Sequence, residues 1–246
     1  MIHLIRAAEH YHDVHGWLST YHHFSFNDYY DPRNTNWASL RVLNEDTIAP
    51  ASGFPLHPHR DMEIVTYVLS GELKHEDSLG NVGVTRAGEV QYMCAGTGVL
   101  HAEFNASKEK PVHLLQMWIL PPKNGLKPSW SQRVYSREEK TNNWLCVVSP
   151  DEKDNAQRIH QRAKMYVSIL KKGHTHMWKP AYDKQYLFVV NGNLLANGHT
   201  LFTQDAARIS GEKNIELKAV ENTHVVAWDT VDAQDDESES DSETLD

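Results

Sequence analysis

The chain has 246 residues, of which 40% are hydrophobic, and this is enough for two ordinary domains or one large β-domain. Eight of its 33 acidic residues lie in residues 232–246, and the 25 acids that remain face 24 lysines and arginines, so the body is nearly neutral. The nearly neutral body excludes a basic surface for direct nucleic-acid binding, and the lack of a long apolar run excludes a membrane-spanning helix. The two cysteines do not make a disulfide framework. We therefore expect a cytoplasmic protein.

Short strand-like segments dominate the first half of the chain. Each is rich in β-branched, aromatic or alternating apolar residues, and each ends at turn residues such as Ser70-Gly71 or Pro121-Pro122. The predicted strands are residues 38–43, 63–69, 71–77, 88–93 and 112–120. Many short strands with turns at this spacing favour a β-sandwich or β-barrel.

The same rhythm returns in the second half after a polar interruption. Residues 123–143 show little periodicity and are interpreted as a linker. Strand-like segments then resume at residues 144–149, 165–170, 185–190, 198–202, 214–219 and 224–229. The predicted organisation is an N-terminal metal-binding domain (1–122), a linker (123–143), a second domain of similar architecture (144–231) and a disordered acidic tail (232–246).

Two short motifs carry candidate metal ligands. His57-Pro58-His59 and His101-Ala102-Glu103 each place two such side chains at positions i and i+2. Side chains two residues apart in a strand point to the same face, so neighbouring strands could aim three imidazoles and one carboxylate into one cavity. This donor set suits a divalent first-row transition metal such as iron, although nickel, copper, manganese and zinc also accept it.

Glycines precede the second motif. Gly96 and Gly98 are predicted to form a tight turn before the strand that carries His101. Paired motifs of this kind resemble the cupin superfamily, with two departures: Gly53 lies closer to the first histidine than is usual, and a glycine stands where many cupins have proline.

A closer resemblance, to the pirin family, covers roughly the first 120 residues and continues more weakly beyond them. The segments that carry it are His15-Gly16-Trp17-Leu18, His23-Phe24-Ser25-Phe26, Tyr29-Tyr30-Asp31-Pro32, His57-Pro58-His59-Arg60-Asp61-Met62-Glu63, Ala95-Gly96-Thr97-Gly98 and Gln116-Met117-Trp118-Ile119. The resemblance implies an all-β fold of two tandem cupin (jelly-roll) barrels. It also implies one Fe(II) or other divalent metal ion per chain, held in the N-terminal barrel by His57, His59, His101 and Glu103.

Pirin-like proteins include enzymes that oxidise quercetin with dioxygen, so the resemblance implies a quercetin 2,3-dioxygenase. The expected partners are O2 and a flat aromatic flavonol, and Glu103 is the expected catalytic base. The alternative is an iron-dependent redox-sensing module that acts as a regulatory cofactor without turnover. This alternative follows from the description of pirin-like proteins as transcription cofactors. A sensor needs no room beside the metal, whereas a dioxygenase needs a planar slot. We expect a monomer, with a protein partner as an open option.

The identity of the carboxylate ligand stays open between two residues. Glu63 lies four residues after His59, where many cupins place their carboxylate, and strand parity would put it on the same side. Glu103 has the same parity as His101, and the pirin pattern favours it. Glu63 would then orient an imidazole or be a buried, hydrogen-bonded acid.

Other candidates have ordinary explanations. His174-Thr175-His176 imitates a second His-x-His motif but lacks a third histidine near residues 208–211, so we expect no second metal site. Among the N-terminal histidines, His23 is the best candidate to line the cavity. Four aromatic residues could form a wall for a flat ligand or belong to the core: Phe24, Phe26, Tyr29 and Tyr30. Cys94 is expected to be a small buried hydrophobe.

Overall fold

The computed structural model describes residues 1–151 and 155–233. In that part of the chain the regular elements are β-strands, apart from a 3-10 turn at Ala7–Glu9 and one short helix, α1, at Arg137–Lys140. None of its helices is long and apolar enough to cross a membrane. The all-β prediction is confirmed.

The first half of the chain contributes twelve strands to the described structure. Their bounds are β1 Ile2–Ile5, β2 Tyr11–His15, β3 Leu18–His22, β4 Leu40–Ile48, β5 Gly53–His59, β6 Glu63–Ser70, β7 Glu72–Asp77, β8 Val82–Arg86, β9 Val90–Cys94, β10 Val99–Asn105, β11 Val112–Ile119 and β12 Ser129–Arg133. The seven-stranded sheet has the order β12-β9-β6-β11-β4-β3-β2, and the four-stranded sheet has the order β5-β10-β7-β8.

The second half repeats this division. Its strands are β13 Leu145–Ser149, β14 Gln157–Arg158, β15 Ala163–Leu170, β16 Thr175–Trp178, β17 Lys184–Asn191, β18 Asn193–Ala196, β19 His199–Phe202, β20 Ala206–Ser210, β21 Ile215–Ala219 and β22 Thr223–Thr230. Together with β1 they form a seven-stranded sheet, β1-β20-β17-β22-β15-β13-β14, and on their own a four-stranded sheet, β16-β21-β18-β19. The repetition of sheet sizes confirms the similarity that the strand rhythm predicted.

Alternating burial explains how each pair of sheets closes over a core. Buried and partly exposed residues alternate along β3, and buried and exposed residues alternate along β21, as expected for strands with one face turned inward. In the first half, Leu73 from the four-stranded sheet packs with Val68 and Leu114 from the seven-stranded sheet. Burial of this apolar surface, at about 25 cal/mol per Å², is the main term that stabilises the layers.

The two halves also share one core. Tyr67 and Met117 from the first half belong to the same buried cluster as Phe188 and Trp228 from the second. The indole Nε1 of Trp228 lies 3.2 Å from the sulfur of Met117. The two large sheets are therefore held together by apolar contact.

Strand pairing crosses the predicted domain bounds at two places. Within the predicted linker 123–143, β12 pairs with β9 in the first large sheet, and α1 follows it. The N-terminal strand β1 pairs with β20 and so extends the sheet of the second half. Both pairings depend on long-range contacts that a local pattern cannot reveal. The predicted acidic tail lies outside the described residues, apart from residues 232 and 233.

Candidate metal centre

Both histidine motifs lie on neighbouring strands of the first four-stranded sheet. β5 carries His57 and His59, β10 carries His101 and Glu103, and the antiparallel register places His101 opposite His57. The register shifts between His101 and Glu103, which marks a bulge at the motif. Pairing of the two strands therefore brings the motifs together as their i, i+2 spacing predicted.

Glycines allow the backbone to take this course. Gly96 has a φ of 43° and permits the turn before β10, as predicted, and a Cβ there would lie 1.9 Å from the carbonyl oxygen of Leu126. A Cβ on Gly53 would lie 2.2 Å from the carbonyl oxygen of Glu103. Only glycine lets β5 approach β10 this closely beside the bulge.

The three imidazoles of His57, His59 and His101 form one cluster. Each offers a ligand atom within 4.8 Å of those of the other two. Burial, and then the neighbouring imidazoles, lower the pKa of His59 to about 4 and that of His101 to about 3. Both rings are therefore neutral at ordinary pH and keep a lone pair available for a metal.

Hydrogen bonds fix which nitrogen is free. The Nδ1 of His57 donates to the carbonyl oxygen of Pro55 at 2.7 Å, which leaves its Nε2 as the lone-pair nitrogen. The Nε2 of His101 is buried and has no hydrogen-bond partner. An unpartnered buried nitrogen beside two other imidazoles fits a metal ion better than any protein contact, since leaving it unpaired is costly.

The carboxylate of Glu103 is fixed beside this cluster by two amides. Gln91 Nε2 donates to its Oε1 at 2.8 Å, and Gln116 Nε2 donates to its Oε2 at 2.6 Å. Glu103 groups with His101 and a further residue, His75, within 4.8 Å. The four predicted ligands and His75 thus form two overlapping triads that share His101.

His75 was missed by the sequence reasoning. Its Nε2 lies 3.1 Å from Oδ2 of Asp77, and its Nδ1 lies 3.5 Å from Nδ1 of His101. The Nε2–H of His75 donates to Asp77, and because the Nδ1 of His101 faces His75, the Nε2 of His101 points away from His75. The signal in the sequence is His75-Glu76-Asp77, another i, i+2 pair, on β7, the strand that pairs with β10.

Glu63 does not face the cluster, so the parity argument for it was wrong. Asp61, with a φ of 48°, turns the chain after β5, and Glu63 begins β6 in the other sheet. Its carboxylate accepts hydrogen bonds from the hydroxyl of Tyr92 at 2.5 Å and from the backbone N–H groups of His160 and Gln161 at 2.7 and 2.9 Å. Glu63 therefore ties the two halves together.

A cavity of about 260 Å³ opens beside the cluster. His57, His59 and Glu103 line one side, and most of the remaining wall comes from the large sheet and the aromatic rings. The lining residues are Asp13, His15, Leu18, Thr20, His22, Phe26, Asn27, Asn44, Asp46, Phe54, His57, His59, Glu103, Gln116 and Trp118. A mainly apolar pocket with a few convergent polar groups is typical of a small-molecule site.

Of the four candidate aromatic wall residues, only Phe26 lines this cavity. Phe24 is core, Tyr29 stacks on Tyr11 at 4.6 Å between ring centroids, and Tyr30 is 73% exposed.

His23 also has a different place from the one expected. It is buried against the second half, where its Nδ1 bonds the hydroxyl of Tyr186 at 2.9 Å, and its neighbour His22 lines the cavity instead. Strand β3 ends at His22, so alternation along this strand does not predict the direction of His23. Cys94 is buried in the shared core, as predicted, and burial raises the pKa of its thiol to about 11.

In the second His-x-His motif, His176 lies on β16 of the other small sheet, and His174 directly precedes that strand. His176 stacks on the ring of Trp144 at 5.7 Å, and His174 is half-buried. Within residues 1–151 and 155–233, no cluster of three possible metal ligands includes either histidine.

Fold and site together define a protein of two cupin-type domains with a metal-binding cluster in the first. A family model described as Pirin matches residues 4–119, and one described as Quercetinase C-terminal cupin domain matches residues 146–230. The "Quercetin 2,3-dioxygenase" of Escherichia coli (strain K12) is 40% identical over 230 residues, which cover 93% of this chain and 98% of that protein. The "Pirin-like protein" of Caulobacter vibrioides is 42% identical over 217 residues, which cover 87% and 93%.

Solved structures agree with the sequence comparisons. YhhW from Escherichia coli matches with a TM-score of 0.90 at 39% identity, covering 96% of this chain and all of that one. A second structure of YhhW, described as a bacterial pirin in complex with nickel(II), matches with a TM-score of 0.89 at 39% identity, covering 95% and 100%. The chain belongs to the pirin family.

Proposed function

We propose that this protein is a metal-dependent dioxygenase that opens the flavonol ring of quercetin with O2, giving a ring-opened ester and carbon monoxide. Relatives at 40% identity over nearly the whole chain are named for this activity. The observation that carries the proposal is the meeting of clustered imidazoles and Glu103 at the wall of a cavity with room for a small aromatic ligand.

The proposed metal ligands are the Nε2 atoms of His57 and His101, one ring nitrogen of His59 and the carboxylate of Glu103. We take Fe(II) as the metal to test first, and the nickel(II) complex of YhhW makes nickel the second. When bound, the metal would coordinate the flavonol oxygens as a Lewis acid and bring O2 beside them.

Glu103 is also the proposed base for the 3-hydroxyl proton of the flavonol. Each carboxylate oxygen already accepts one amide hydrogen bond, from Gln91 or Gln116, so one oxygen would keep a second lone pair for the metal and the other a second lone pair for a substrate proton. The two amides hold the carboxylate in place, so no reorganisation is needed when the hydroxyl arrives.

The cavity wall supports turnover over a purely sensing role. Phe26, Phe54 and Trp118 present apolar surface to a ligand beside the imidazoles, and Trp118 packs edge-on to His59 at 4.9 Å between ring centroids. Such a wall excludes water from the reacting groups. A redox-sensing module would have no use for this space, so the enzyme is favoured.

The experiment compares the loss of flavonol absorbance in air for metal-loaded wild type, Glu103→Ala and Glu109→Ala. Glu109 is an exposed glutamate and serves as the matched control. We expect rapid quercetin loss with wild type and the control, and a rate at least about 100-fold lower with Glu103→Ala, the usual contribution of a positioned base. Wild type that binds metal but leaves quercetin intact would overturn the proposal.

A further inference from the structure

Two cross-strand rows of side chains from the large sheet flank one part of the cavity. The register of β3, β4 and β11 aligns His22, Asn44 and Gln116 in one row. It aligns Thr20, Asp46 and Leu114 in the next. Apart from Leu114, these side chains line the cavity, and they come from the opposite sheet to the one that carries the imidazoles.

The polar side chains of the first row form hydrogen bonds with other protein groups. His22 Nδ1 bonds the Oδ1 of Asn44 at 2.9 Å, and Gln116 donates to Glu103. The indole Nε1 of Trp118 donates to the Oε1 of Gln116 at 3.3 Å. This row therefore positions the carboxylate of the metal cluster and leaves little hydrogen-bonding capacity for a ligand.

The second row is different, because its two polar side chains are almost fully buried and face each other. Thr20 and Asp46 are 2% and 3% exposed and lie opposite each other on β3 and β4. The Thr20 hydroxyl has no hydrogen-bond partner of standard geometry. Burial raises the pKa of Asp46 to about 7, the negative charges of Glu103 and Glu45 add to the rise, and the Thr20 hydroxyl partly opposes it.

Unpartnered buried polar groups cost about 1–3 kcal/mol each, so a fold keeps them where something else completes them. A carboxyl that is partly protonated at neutral pH can both donate and accept, and so can the hydroxyl of Thr20. The complementary ligand group is another hydroxyl. A phenolic hydroxyl on a flat ring fits best, since the rest of the cavity wall is mostly apolar and aromatic.

We propose that Thr20 and Asp46 form a subsite for a phenolic hydroxyl of the substrate other than the oxygen pair that faces the imidazoles. The inference rests on the proposed function for the orientation of the ligand. It makes polyhydroxylated flavonols the preferred substrate class, over flavonols that carry only the chelating pair.

The test is binding without O2, so that no turnover is needed. Quenching of tryptophan fluorescence gives the Kd of quercetin and of 3-hydroxyflavone, which has the chelating oxygens but no other hydroxyl. Both are measured with metal-loaded and metal-free protein. The variants are Thr20→Val, Asp46→Leu and the milder Asp46→Asn, with Ser168→Ala as control because Ser168 also has a buried, unpartnered hydroxyl but lies in the second domain.

We expect Thr20→Val and Asp46→Leu each to weaken quercetin binding about 10-fold, or about 1.4 kcal/mol, and to leave 3-hydroxyflavone within about two-fold. Asp46→Asn should lose less than Asp46→Leu because its amide still hydrogen-bonds, and Ser168→Ala should bind as wild type does. Equal weakening of both ligands, or no change in either, would overturn the subsite. Selective weakening in a protein that fails to oxidise quercetin would support the subsite while refuting the enzyme.

Discussion

Replacing His75 by leucine is expected to weaken metal binding although His75 is not a proposed ligand. The leucine removes the acceptor for His101 Nδ1, now 3.5 Å away, and leaves the carboxylate of Asp77 without its imidazole partner. His101 would then lose the contact that fixes its tautomer and ring orientation. Loss of such a supporting contact typically costs 10–100-fold in metal affinity, or about 1.4–2.7 kcal/mol.

The assay is competition between the protein and a chromophoric chelator for nickel(II) or Fe(II), with unfolding by urea measured in parallel. His75→Gln is the rescue variant, because its amide can both accept and donate, and His199→Leu is a surface control, since His199 is exposed. Unchanged affinity in a folded His75→Leu protein would refute the supporting role. A loss far above 100-fold would show instead that His75 is itself a ligand in the triad with His101 and Glu103.

Three further variants test other parts of the account. Gln116→Leu should keep the metal but lower the turnover number for quercetin about 10-fold, because Glu103 loses one of its two amide donors; an unchanged steady-state rate would contradict this. Gly53→Ala should lower the free energy of unfolding in urea by about 1–3 kcal/mol, since its Cβ would overlap backbone; equal stability would show that the strands can separate without cost. His224→Gln tests pH dependence. Burial lowers the pKa of His224 to about 4, so the unfolded chain takes up this proton first and wild type loses stability as the pH falls below about 6.5. Between pH 7 and pH 5 the variant, which still accepts from the hydroxyl of Tyr67, should lose about 2 kcal/mol less than wild type; parallel losses would refute the assignment.

The spacing of residues within one segment predicted correctly those features of the site that depend on that segment alone. The i, i+2 placement of His57 and His59 and of His101 and Glu103 put each pair on one face, and Gly96 formed the expected turn. Strand parity failed at Glu63, because a turn separates it from β5 and parity does not continue through a turn.

What the sequence could not reveal depends on pairing between distant strands. His75 supports His101 only because β7 lies beside β10, and Asp46 faces the cavity only because β4 lies between β3 and β11. The local sequence of β4 does not distinguish Asp46 from an ordinary surface acid. Only the structure shows that this strand is buried along almost its whole length.

The most direct test of the central claim is the stoichiometry of the reaction under metal-loaded, aerobic conditions. O2 uptake, carbon monoxide release and quercetin loss are measured together on wild-type protein with its metal content determined. The account predicts equimolar amounts of all three, with activity proportional to bound metal. Quercetin loss without carbon monoxide, or no loss with the metal bound, would contradict it.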